Sequence, residues 1–116
     1  MPALRFVIKL KGEIIMEYVS TNNAPSAIGP YSQAVKANGM IFTSGQIAIN
    51  PKTSSVEATT IQEQTRQVCE NLKAVIEAAG SSMDKVIKTT CFLADINDFV
   101  SFNEIYGEYF TGRPKM

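Results

Sequence analysis

The sequence predicts a small α+β sandwich, in which a β-hairpin and further strands form a sheet with two amphipathic helices on one face. Three observations carry this reading. Asn38-Gly39 separates two runs of alternating apolar residues, the strongest short-range hairpin signal a sequence offers. Apolar residues recur at helical spacing from Ile61 to Ala79 and again from Phe99 to Tyr109. Between those helices, Val86 to Ala94 is rich in β-branched and aromatic residues and reads as a strand.

At the N-terminus, Leu4, Phe6, Ile8 and Leu10 alternate with Arg5, Val7, Lys9 and Lys11, the pattern of a half-buried strand. Gly12 breaks the pattern, and a second apolar run follows from Ile14 to Val19. A hairpin through Lys11-Gly12-Glu13 sets Leu10 opposite Ile14, Ile8 opposite Met16 and Phe6 opposite Tyr18, all on one apolar face. Met16 is a candidate second start, so residues 1–15 are expected to be a β-strand extension of a domain spanning residues 16–116. The competing arrangement for this segment is an arm gripping a neighbouring chain. The stretch from Ser20 to Pro25 is a loop by composition, and Gly29-Pro30 forces a turn that holds Tyr31 just before the central hairpin. Tyrosine in such a place is more often a rim residue than a catalytic phenol. With Asn38-Gly39 as the turn, Ala37 faces Met40, Val35 faces Phe42 and Gln33 faces Ser44. The second strand ends in Ser44-Gly45, which pairs a rotatable hydroxyl with a main chain that no side chain covers. An ordinary strand end with a bulge produces the same dipeptide.

After the loop at 50–53, Thr60-x-x-Glu63 forms a capping box. Ile61, Thr65, Val68, Leu72, Val75, Ile76 and Ala79 then share a helical face, and Gly80 stops the helix. Cys69 borders that face as a small packing residue, while Glu70 and Lys73 lie on the solvated side. Asp95 to Asp98 starts the second helix, with Phe99, Phe102, Ile105, Tyr106 and Tyr109 expected as core and Gly112 with Pro114 as the stop. Asn103 lies at the edge of that face, where an amide can reach a cleft or meet water. Two helices on one face leave the other face of the sheet uncovered, and a homo-oligomer packing sheet faces together is the economical cover.

The chain of 116 residues is 45% hydrophobic and 19% charged, which fits one globular domain. Eleven Lys plus Arg balance eleven Asp plus Glu, so there is no electrostatic footprint for nucleic acid or an anionic membrane. No apolar run approaches the about 20 residues that span a bilayer. Histidine is absent, and Cys69 and Cys91 have no partners at metal-ligand spacing. Metal ligation and Ser-His or Cys-His nucleophiles are therefore not expected. The reading is of a cytoplasmic protein without metal or cofactor.

Ala-Pro-Ser-Ala-Ile-Gly-Pro-Tyr-Ser-Gln at 24–33 and Phe-Thr-Ser-Gly-Gln at 42–46 resemble the reactive intermediate deaminase family (RidA/YjgF). The resemblance continues through Asn71-Leu72-Lys73, Glu77-Ala78-Ala79-Gly80, Val86-Ile87-Lys88-Thr89-Thr90, Asn97-Asp98-Phe99 and Tyr106-Gly107-Glu108-Tyr109-Phe110. It implies a chorismate-mutase-like sandwich of one mixed β-sheet covered by two helices, a homotrimer, and a ligand cleft at each subunit interface. It also implies hydrolysis of 2-imino or 2-enamino acids to 2-keto acids and ammonia. Residue by residue, the family's cleft tyrosine falls on Tyr31, its strand-end serine and glycine on Ser44 and Gly45, and its helix asparagine on Asn103. Tyr31 and Ser44 are then the expected catalytic residues, and Gly45 and Asn103 the expected substrate-binding ones.

One departure stands out. The family pattern continues after the second helix with Pro-small-Arg, the arginine clamping the substrate carboxylate, then a cysteine and a last strand carrying an acid. Here Pro114-Lys115-Met116 ends the sequence, with Met116 in the arginine's place. Loss of that contact is expected to weaken carboxylate binding by about 1.5–3 kcal/mol. The expectation is thus an imine deaminase impaired in this short form. The alternative is a non-catalytic trimer binding small carboxylates or a protein. Zero net charge and the lack of histidine count against the ribonuclease activity sometimes attached to the family.

Overall fold

The computed structural model describes residues 4–9 and 15–111, with residues 4–9 and Ile15 as backbone only. Strands β1 (Leu4–Lys9), β2 (Ile15–Ser20), β3 (Ala34–Ala37) and β4 (Met40–Thr43) form a sheet in the order β1-β2-β3-β4. Strands β5 (Ile49–Asn50) and β6 (Ser55–Val56) form a separate short ladder. Helix α1 (Ile61–Ala78) packs against β2 and β4, and helix α2 (Phe99–Tyr109) packs chiefly along α1.

The central hairpin has the register its sequence dictates, with Ala37 opposite Met40 and Val35 opposite Phe42. Asn38 and Gly39 take φ values of 52° and 73°, the left-handed pair that a tight two-residue turn needs. The ladder continues past the assigned strands, because the Ser44 N–H donates to the Gln33 carbonyl at 2.9 Å. Between β1 and β2, Phe6 lies opposite Tyr18 and Ile8 opposite Met16. The expected Leu10–Ile14 pair, the Lys11–Glu13 turn, the helix stop at Gly112 and Pro114 and the Met116 position lie outside the described residues.

Period two and this register decide the two faces of the sheet. Val19 pairs with Ala34, and both are buried with Ala24, Val75 and Ala79 under α1. Met16, Tyr18, Val35, Ala37, Met40 and Phe42 fall on the opposite face, where Phe42 remains 57% exposed. Contiguous exposed apolar faces are, as a class, where proteins associate or bind ligands.

Helix α1 begins and ends as its sequence requires. The Thr60 hydroxyl accepts from the Glu63 N–H at 3.1 Å, while the Glu63 carboxylate reaches back one residue further, to the Thr59 N–H. At the other end Ser81 N–H donates to the Ile76 carbonyl and Gly80 N–H to the Glu77 carbonyl, a Schellman motif with Gly80 at φ 91°.

Three expectations need correction. Val86 to Ala94 is not a strand: it leaves a 3-10 turn (Met83–Lys85) and enters no ladder among the described residues. Its β-propensity measures fitness for a pleated, half-buried surface, and no strand among the described residues supplies one, so Phe92 stands 91% exposed. The main sheet is consequently antiparallel throughout its described strands rather than mixed. The aromatic stripe of α2 is not closed core either. Phe102, Tyr106 and Phe110 stack on one another at 4.5–5.1 Å between centroids, yet no residue of the helix is fully buried.

Candidate functional site

Tyr31, Ser44 and Gly45 are set by the hairpin and the turn that leads into it. Gly29 adopts φ 116°, a conformation that suits glycine, and the Tyr31 N–H closes a tight turn onto the Gly29 carbonyl at 2.9 Å. Pro30 then fixes the approach, leaving Tyr31 54% exposed at the rim. Across the hairpin, the Ser44 hydroxyl donates to the carbonyl of Ser32, the residue beside Tyr31, at 2.5 Å. The single hydroxyl proton is thereby committed, so towards a ligand Ser44 presents lone pairs and acts as an acceptor. A side chain built on Gly45 would meet nothing within 4 Å, so the main chain there faces open space.

Asn103 stands apart. It is exposed on α2, and no hydrogen bond among the described residues ties it to the Tyr31–Ser44 corner. The structure therefore ties Ser44, and Gly45 beside it, to the residue next to Tyr31, and leaves Asn103 on a different layer.

Two buried amides that sequence reasoning gave no role hold the corner from behind. Gln33, 3% exposed, accepts from the Thr21 N–H at 2.6 Å and donates to the carbonyls of Thr21, Ala24 and Pro25 at 3.0, 3.3 and 2.7 Å. Asn71, 1% exposed, donates to the carbonyls of Ile47 and Ile49 at 3.1 and 2.8 Å and accepts from Gln67 at 2.9 Å. Irregular backbone flanks the corner on both sides, and these amides satisfy its polar groups. The signal for Asn71 was its place four residues before Val75, on the flank of the apolar stripe, where a polar side chain needs a partner.

Two grooves accompany the corner without including it. One, of ≈ 660 Å³, runs between α1 and the turn at 50–52, with Lys52, Glu70, Lys73 and Glu77 in its walls. The other, of ≈ 370 Å³, lies by the Asn38-Gly39 turn and the end of α1. Neither is lined by Tyr31, Ser44, Gly45 or Asn103.

Where α1 meets α2, Arg66 pairs with Glu108 at 3.0 Å and lies 6.0 Å from the centre of the Tyr109 ring. Burial and the neighbouring Glu70 raise the Tyr109 phenol to about 12. Burial pushes the Cys69 thiol up to about 11, which makes it a packing group rather than a nucleophile. Burial also raises the Tyr106 phenol, against a hydrogen bond shared with Thr89 that lowers it. Among the described residues, no group of three or more His, Cys, Asp or Glu side chains could hold a metal, and no helix is long and apolar enough to cross a membrane.

Residues 21–115 match the family described as Endoribonuclease L-PSP. A RutC family protein of Pyrococcus horikoshii is 55% identical over 94 residues, covering 81% of this chain and 75% of that protein. The 2-iminobutanoate/2-iminopropanoate deaminase of Escherichia coli is 50% identical over 93 residues, covering 80% of this chain and 72% of the relative. Among solved structures, a putative endoribonuclease L-PSP from Entamoeba histolytica superposes with a TM-score of 0.83 at 53% identity, covering 86% of this chain and 80% of that one.

Proposed function

We propose a function from one premise: the chain belongs to the Endoribonuclease L-PSP family, which includes the RidA/YjgF and RutC proteins. On that premise the chain hydrolyses 2-imino or 2-enamino acids, such as 2-iminobutanoate and 2-iminopropanoate, to 2-keto acids and ammonia. The observation that carries this reading is the corner where the Ser44 hydroxyl, fixed on the Ser32 carbonyl, stands beside the exposed Tyr31.

The chemistry asks little of the protein. Protonated imine carbon is already electrophilic, so water adds to C2, the resulting amino alcohol loses ammonia, and a keto group remains. Holding the acid and moving protons is enough. Gly45 and Asn103 bind the substrate, with Gly45 letting it approach the main chain closely. Ser44, as an acceptor, orients the water or the iminium N–H, and Tyr31 relays the proton from water to the departing nitrogen. Met116 stands where the family resemblance places an arginine, so Met116→Arg is expected to raise turnover by supplying a bidentate cation for the carboxylate. No metal or cofactor takes part.

The open apolar face of the main sheet supports a homotrimer, with a neighbouring subunit walling each site and bringing a second layer of residues to it. Residues 1–15 are the strand extension of a deaminase-like domain over residues 16–116, and the setting is cytoplasmic. Zero net charge and the absence of histidine weigh against ribonuclease action, despite the family's description. The test is a coupled assay in which a threonine dehydratase generates 2-iminobutanoate and its decay is followed with and without this chain. Faster decay, proportional to added chain, is expected. Binding of 2-oxobutanoate without any acceleration would leave a carboxylate-binding module instead.

A further inference from the structure

Gln33 does more than fill a buried position. Its side-chain oxygen accepts one backbone N–H and its nitrogen reaches three carbonyls, all within the loop from Thr21 to Pro25. The bond to the Pro25 carbonyl, at 2.7 Å, joins residues eight apart in sequence and closes the chain between them into a loop. Tyr31 lies near the far end of that loop, past Ser26, Ile28, Gly29 and Pro30, which are all exposed. The main-chain carbonyl of the same Gln33 receives the Ser44 N–H. One residue thus ties the base of the Tyr31 loop to the strand end that carries Ser44.

We propose that Gln33 is a positioning residue: by closing the Pro25–Gln33 loop it sets where Tyr31 stands relative to Ser44. The functional side of this claim rests on the deaminase reading above, while its geometric side does not. An exposed span without its closing bond samples many conformations, and a catalytic phenol gains only when its place is fixed in advance. Three carbonyls drawn towards one amide are costly to leave unpaired, so the arrangement is strongly specified.

Gln33→Glu tests it in the full chain, since it keeps the size and the acceptor for Thr21 N–H but removes both donors. Gln33→Met is the second variant, matching the length and removing all four bonds. The ring resonances of Tyr31, assigned by their loss in Tyr31→Phe, report position without reference to activity. They are expected to shift and broaden in both variants, while the amide signals of α1 stay in place. In the imine assay kcat should fall about tenfold or more with KM changed less than about threefold, and adding Tyr31→Phe should cost little further. Unmoved Tyr31 signals in a folded variant would overturn the proposal, as would losses that multiply fully with Tyr31→Phe. Collapse of both variants to an unfolded chain would assign the clamp to the fold as a whole and overturn the positioning role. Should the unaltered chain show no activity, the functional reading fails on its own, and the Tyr31 signals still decide the geometric claim.

Discussion

The groove beside α1 and the corner at Tyr31 divide between them what a binding site needs. The groove offers ≈ 660 Å³ and walls of both charges, but its buried polar residues, Thr21 and Asn71, spend their hydrogen bonds on the protein. The corner has an exposed phenol, an oriented hydroxyl and a bare main chain, with no enclosing wall of its own. Concavity and chemistry are separate properties, and here chemistry marks the candidate site. The corner borders an apolar sheet face, which in the proposed homotrimer a second subunit covers.

The sharpest way to break this contrast is Tyr31→Phe. Removing the phenolic oxygen from an exposed ring should lower kcat/KM about 100-fold while the melting temperature stays within about 1 °C. Steady-state kinetics beside a thermal melt decides it, and a loss under threefold would move the chemistry elsewhere.

Asn71→Leu should act in the opposite sense, on stability. It strands the carbonyls of Ile47 and Ile49 and the amide of Gln67, for a loss of about 2 kcal/mol and a drop in Tm of roughly 10 °C. Denaturant titration measures it; an unchanged midpoint would mean that water or a rearranged side chain replaces the amide.

Gly45→Ala is a smaller perturbation. Its added methyl meets open space within the chain, so folding should be unaffected. Against a ligand in the corner it should raise KM about fivefold, and an unchanged KM would show that substrate does not approach the Gly45 main chain.

The subtlest effect concerns Cys69. Its folded thiol holds its proton until about pH 11, whereas the ordinary value is 9.0. Above pH 9.0 the unfolded chain releases that proton first and binds fewer protons than the folded chain, so stability declines with rising pH across this window. The difference in Tm between the unaltered chain and Cys69→Ala should narrow from pH 8 to pH 10.5, and a constant difference would contradict it.

Legibility in the sequence followed the range of the interaction. Hairpin register, the Thr60 cap and the Gly80 stop were readable because each is decided within a few residues. Tyr31, Ser44 and Gly45 were grouped by the family resemblance, whereas the hairpin by itself announced only Ser44-Gly45 at a strand end. The Val86–Ala94 segment was misread because a strand needs a partner, and propensity says nothing of whether one is present. Gln33 and Asn71 were passed over for a related reason: the backbone carbonyls they bond lie 8 to 24 residues away, which no periodicity announces. The half-exposed stripe of α2 belongs to the same class, since spacing marks a face and not what covers it.

The most direct test is a titration of the isotope-labelled chain with 2-oxobutanoate, the product of the proposed reaction, followed by NMR. Saturable shifts centred on Tyr31, Ser44 and Gly45, with Asn103 responding in the assembled oligomer, are the predicted result. Shifts confined to Lys52, Glu70, Lys73 and Glu77 would place the ligand in the α1 groove and contradict the assignment of the site.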